Sequence, residues 1–189
     1  MQALCETPRI RVLDDALDEA AILTLEAEIA RQRESAIARG ASKHDHTGLS
    51  FELAVATCPV ATRLRDLAQR LLGLGNDLGQ TLRYRRYVPG ESHPAHCDHY
   101  QVGETALVAT ALFHLADTRA GGATRFAQAL PGPVAVTPKR GRLVAWFNHD
   151  PTGAPDPLSI HDAAPVEAGE KVTLTQFLYQ PPSAVARQQ

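Results

Sequence analysis

The feature that most constrains this chain is a change of texture near Gln80. From there, short apolar runs alternate with turns built on glycine and proline. The runs are TLRYRRYV, TALVATALFHL, ATRF, PVAVT, RLVAWFN and KVTLTQFLY, separated by PGE, AGG, PGP and PKRG. Runs of this length, rich in β-branched and aromatic residues, read as strands. Several of them at close spacing imply an antiparallel sandwich, barrel or jelly roll.

The first part of the chain differs. Ile10–Leu13 reads as a short strand. Ile22, Leu25 and Ile29 then recur at helical spacing among strong helix formers, and Val60, Leu64, Leu67 and Leu71 mark a second helix that ends at the glycines of LLGLGND. Each helix has one apolar stripe and must pack on something. The polar stretch GASKHDHTG, Gly40–Gly48, reads as a loop. At 189 residues and 44% hydrophobic, the chain suits one domain with a real core.

Composition narrows the partners. A net charge of -2 gives no broad cationic surface, so no nucleic-acid partner is expected. Three cysteines without CxxC spacing suggest neither a disulfide framework nor a zinc knuckle. The opening MQALCETPRIRVLDD lacks the features of a secretory leader, and no run approaches the ~18 apolar residues of a membrane span. A reducing, cytoplasmic setting is the expectation. The sequence gives no indication of oligomeric state.

The segment ESHPAHCDHY concentrates possible metal ligands. In a strand, residues two apart share a face, so His96 and Asp98 can both enter a cavity while Cys97 points away. One imidazole from a distant strand, naturally His161 in SIHDA, would complete a set of two histidines and one carboxylate. That set leaves adjacent positions open on a metal, as non-haem Fe(II) oxygenases require. An HxD triplet in a chain with eight histidines is weak evidence by itself.

The blocks around it carry more. RYVPGESHPAHCD, VATALFHLADTRAGGATRF, VTPKRGRLVAWFN and DPTGAPDPLSIHDAAPVEAGEK lie between Tyr84 and Tyr179. In order and spacing they resemble the catalytic domain of prolyl 4-hydroxylase-type Fe(II)/2-oxoglutarate dioxygenases. The resemblance implies a mainly β fold, a double-stranded β-helix (jelly roll) with flanking helices. It implies residues 1–78 as a helical and strand support region of the same domain, 79–180 as the catalytic core and 181–189 as a flexible tail. His96, Asp98 and His161 become the iron ligands, and Lys171 the anchor for the distal carboxylate of 2-oxoglutarate, with Arg140 or Arg142 next in line. Tyr87 and His114 become co-substrate contacts, His114 standing where the family has a tyrosine. The implied reaction consumes O2 and 2-oxoglutarate and releases succinate and CO2, with ascorbate a candidate reductant. A carboxylate at Asp98, where halogenating relatives have a small residue, points to hydroxylation.

Two departures bear on the substrate. His93 replaces a tyrosine, and Leu107 replaces a substrate-contacting arginine. If strand alternation places Leu107 with Thr105 and Ala109 at the substrate mouth, a peptide carbonyl finds no donor there. The expected substrate is therefore a small or carrier-bound amino-acid-like molecule. Peptidyl-prolyl hydroxylation is the first alternative, a non-catalytic metal-binding β-domain the second, and a zinc hydrolase the third. His93 is expected at the mouth, His99 at a turn, and His44 and His46 in solvent or a lid. Thr124, Phe126, Trp146 and Phe147 are expected to pack.

Overall fold

The computed structural model describes residues 2–74 and 81–181. The expected boundary at residue 78, and all but the first residue of the expected tail, lie outside that range. The early elements are β1 (Gln2–Glu6), β2 (Arg9–Leu13), α1 (Glu19–Ala38), β3 (Ser42–Asp45), β4 (Gly48–Ala54) and α2 (Pro59–Leu72). After them come β5 (Thr81–Tyr87), β6 (His93–His96), β7 (Gln101–Val102), β8 (Thr105–His114), β9 (Thr118–Gly121) and β10 (Thr124–Phe126). The last strands are β11 (Val134–Val136), β12 (Leu143–Phe147), β13 (His161–Ala163), β14 (Val166–Gly169) and β15 (Lys171–Gln180).

The large sheet runs β1-β2-β12-β8-β15-β5-β4-β3, with β7 attached to β8. A smaller sheet runs β11-β10-β13-β6, and β9 pairs with β14. Every pairing is antiparallel. The fold is a mainly β jelly roll flanked by two helices. The early strands belong to the same sheet as the later ones, because β2 pairs with β12 and β4 with β5.

Alternation along the large sheet sorts its two faces. Leu82 and Tyr84 of β5, Ala111 and Phe113 of β8, Leu143 and Ala145 of β12 and Leu174 and Leu178 of β15 share one core with the helices. Ile22, Leu25 and Ile29 of α1 and Val60, Leu64 and Leu72 of α2 complete it. Leu67 and Leu71 are only partly buried, so the stripe of α2 is rotated slightly from the expected one. Asp18 caps α1 by accepting from the Ala21 amide at 2.7 Å, and Gly73 ends α2 at φ 65°. Fully burying a leucine such as Leu25 contributes roughly 1.5–3 kcal/mol.

Gly40–Gly48 is mostly strand rather than loop. Ser42–Asp45 pairs with β4 in a hairpin whose turn is held by Asp45 Oδ1, accepting from the Thr47 amide at 2.8 Å and its hydroxyl at 2.6 Å. Polarity misled the sequence reading because β3 is an edge strand with little apolar alternation to show. His44 and His46 are exposed. His44 Nε2 meets Glu91 Oε1 at 3.2 Å, tying the hairpin to the turn before β6.

Candidate active site

The other face of the large sheet looks toward the small sheet, and a cavity of about 130 Å3 lies between them. In β15 the alternation that sends Leu174 and Leu178 to the helices sends Lys171, Thr173, Thr175 and Phe177 to the cavity wall. The small sheet contributes His96 and His161, which are register partners across β6 and β13. Asp98 lies in the irregular segment just after β6, not within a strand as the alternation argument assumed.

One ligand atom from each of His96, Asp98 and His161 lies within 4.8 Å of the others. The ring nitrogens divide their work. His96 Nδ1 and His161 Nδ1 each face a backbone carbonyl at 2.9 Å, that of Pro94 and that of Ser159. Their Nε2 atoms face Asp98, at 3.5 Å and 3.8 Å. Asp98 Oδ2 accepts from the Thr110 hydroxyl at 2.8 Å, and the Asn148 amide donates to Thr110 at 3.1 Å. Such partners fix the orientation of metal-binding groups. The Trp146 ring meets His161 edge-on at 4.7 Å, and Phe126 packs on both.

Burial alone would raise the Asp98 carboxyl, but its hydrogen bond to His96, the charge of His161 and the Thr110 bond bring it below the usual range. Burial pulls His161 down, partly opposed by Asp98. For His96, burial is outweighed by Asp98 and the Pro94 carbonyl, and the net shift is upward. A carboxylate between two imidazole Nε2 atoms is a donor set that fits divalent iron.

About Lys171 the surroundings are sparse. It is 2% exposed, and among the described residues its ammonium donates to Thr124 Oγ1 at 3.1 Å and forms no ion pair. Burial pushes it down to about 7, Asp162 opposing. A buried ammonium without a counter-charge is costly, so this wall fits a ligand carboxylate. Tyr87 lines the cavity with its ring centroid 5.6 Å from Lys171 Nζ. His114 pairs in register with Thr173 but is fully enclosed and does not line the cavity. Among the described residues, neither ring nitrogen has a hydrogen-bond partner.

Several expectations need correction. Leu107 is fully buried and absent from the cavity wall. A register shift between Leu178 and Tyr179 sets Leu107 opposite Tyr179, and Val108 and Ala109 both join the helix-side core. Ala109, expected with Leu107 at the mouth, thus faces the helices, and Thr110, expected on the other face, lines the cavity. Arg140 is bonded to Glu19 and Glu26, and Arg142 to Asp14, away from the cavity. Thr124 does more than pack, since it holds Lys171. Trp146 is buried, as expected, and also lines the cavity. His93 reaches the cavity, held down to about 4 by burial and by His96 and Arg85, while His99 is exposed in the irregular segment after β6. Thr110, Asn148 and Arg85 escaped the sequence reading. Single polar residues in strands have no spacing pattern, and only the alternation of TLRYRRY could have singled out Arg85.

Comparison with known proteins agrees with this geometry. The chain is 31% identical over 131 residues to the prolyl 4-hydroxylase subunit alpha-1 of Gallus gallus, covering 65% of this chain and 25% of that protein. It is 28% identical over 144 residues to the probable prolyl 4-hydroxylase 4 of Arabidopsis thaliana, covering 64% and 48%. The chain thus spans a quarter to about half the length of these curated relatives. Among solved structures, the viral collagen prolyl hydroxylase of Paramecium Bursaria Chlorella virus-1 in its 2OG complex superposes with a TM-score of 0.73 at 19% identity, over 93% of this chain and 98% of that one. A Pseudomonas putida prolyl-4-hydroxylase gives 0.68 at 16% identity, over 93% and 94%. Residues 80–179, just over half of the chain, match the family described as the 2OG-Fe(II) oxygenase superfamily, and the chain belongs to it, as an enzyme that uses Fe(II) and 2-oxoglutarate.

Proposed function

We propose that this dioxygenase hydroxylates a prolyl residue presented by a peptide or protein, rather than the small or carrier-bound substrate favoured by sequence alone. The observation that carries the reading is the course of the cavity. Its wall extends from buried Lys171 and Thr124 to exposed Arg83 and Tyr100, and His96 and His161 also lie on it. A ring carried on an extended chain can enter while the chain stays outside. One of the objections to a peptide rested on Leu107, and Leu107 is off the wall. The curated relatives are themselves named prolyl 4-hydroxylases.

In this reading His96, Asp98 and His161 hold the iron. Thr110 and Asn148 keep the Asp98 carboxylate aimed at it, and the Pro94 and Ser159 carbonyls fix both rings with Nε2 forward. Lys171, steadied by Thr124, takes the distal carboxylate of 2-oxoglutarate, with Tyr87 walling that end. Trp146 and Phe126 keep water from the His161 side. Bound iron and 2-oxoglutarate supply the O2 activation that hydroxylates an unactivated C–H bond. The test is mass spectrometry of proline-containing peptides incubated with Fe(II), 2-oxoglutarate and O2. A gain of one oxygen on proline, dependent on Asp98, supports the reading. Turnover of small amino-acid-like compounds with none on peptides overturns it.

A further inference from the structure

The strand TLRYRRY places three arginines in four positions, and their charges are treated differently. Arg86 is bonded to Glu170. Arg83 donates to Glu52 at 2.7 Å. Among the described residues, Arg85 has no carboxylate partner. Its guanidinium donates to the Thr47 carbonyl at 3.0 Å and lies 5.9 Å from the centre of the Tyr87 ring. It is half-buried on the cavity wall, beside its register partner Thr173.

Among the described residues, the cavity wall therefore has two cationic side chains without a carboxylate partner, on adjacent strands. Lys171 is the deep one, opposite Tyr87, and Arg85 lies two residues farther along β5. Resting on the proposed function, 2-oxoglutarate would occupy Lys171 with one carboxylate and the metal with the other, which leaves no carboxylate with both oxygens free for Arg85. A guanidinium carries five N–H donors in a planar fork, and the Thr47 carbonyl and the neighbouring Tyr87 hydroxyl leave part of that fork open. A carboxylate matches that fork with two parallel bonds. We infer that Arg85 binds a carboxylate of the primary substrate close to the hydroxylated carbon. That carboxylate comes either from an acidic side chain next to the target proline or from the α-carboxylate of a terminal or free amino acid.

The experiment uses matched probes on the iron-loaded enzyme. One arm compares proline hexapeptides with Glu or Gln beside the proline. A second compares a prolyl C-terminus as carboxylate or amide, and a third compares free amino acids with their amides. Succinate release above the substrate-free rate and oxygen gain in the product are both read. The acid of at least one pair is expected to exceed its amide in kcat/KM by roughly ten- to a hundredfold, the range of a hydrogen bond to a charged group. Arg85→Gln should erase that difference, Arg85→Lys should retain part of it, and Arg83→Gln should leave it in place. The responding arm identifies the source. If only free amino acids respond, the prolyl-peptide reading fails while the role of Arg85 stands. Equal use of acids and amides, persistence of the preference in Arg85→Gln, or no response to any acid overturns the inference. So does a tenfold rise in the 2-oxoglutarate Kd of Arg85→Gln, which would give the guanidinium to the co-substrate.

Discussion

The two ends of the cavity differ in how far the protein satisfies the groups that would hold a ligand. At the metal end each functional group already has a partner: His96 the Pro94 carbonyl, His161 the Ser159 carbonyl, and Asp98 the Thr110 hydroxyl. At the Lys171 end a buried ammonium has, among the described residues, one hydroxyl and no carboxylate. Satisfied groups are oriented before anything binds. Buried unsatisfied ones carry a desolvation cost that a complementary ligand relieves. The metal end is built to hold geometry, the Lys171 end to gain from its ligand.

The comparison breaks first at the metal end. His96→Ala, Asp98→Ala and His161→Ala should each abolish succinate release and lower iron affinity, since each removes one of three protein ligands. Full turnover in any of them, measured with purified iron-loaded protein, removes that residue from the set. At the other end, Lys171→Ala should weaken 2-oxoglutarate binding by about 2–4 kcal/mol and barely change iron affinity. Direct titration of both ligands separates the two effects, and an iron defect as large as the 2-oxoglutarate defect would merge the ends into one.

A smaller effect is expected at Thr110, whose hydroxyl bonds, among the described residues, to Asp98 and Asn148. Thr110→Val keeps the shape and removes the hydroxyl, so iron affinity should fall by about 10–100-fold, with 2-oxoglutarate binding to the loaded enzyme much less affected. Equal affinity in the variant shows that Asp98 needs no such support. The smallest effect is one of pH. Because burial holds Lys171 down to about 7 in the free protein, the ammonium is present below that pH and lost above it. A bound carboxylate favours the ammonium, so the 2-oxoglutarate Kd should be flat below pH 7. Above it, the Kd should rise about tenfold per pH unit. A flat profile to pH 9 places the lysine outside the binding step.

The sequence carried the two ends unequally. His96, Asp98 and His161 were legible because metal chemistry restricts residue type, and Lys171 because a lysine opening an apolar strand is conspicuous. Their partners were not. Thr110 and Thr124 are ordinary strand threonines, and their roles follow from which strand lies beside which. Leu107 was misplaced because alternation does not say which face is the cavity: Ala109, expected beside it at the mouth, packs against the helices, while Thr110 lines the cavity. The hairpin at Ser42–Ala54 was missed because edge strands tolerate a polar sequence. Helices with long apolar stripes and strands bounded by glycine were recovered, since burial itself writes those patterns.

Calorimetric titration of 2-oxoglutarate into Mn(II)-loaded protein at pH 8, in two buffers of different ionisation enthalpy, tests the contrast between the ends most directly. The manganese keeps the metal end fixed, so any proton change belongs to the anchor. At one pH unit above the Lys171 value, wild type should take up close to one proton per ligand. Lys171→Ala should bind more weakly by about 2–4 kcal/mol and take up none. An unchanged Kd in the variant, with the same proton uptake as wild type, would contradict the account.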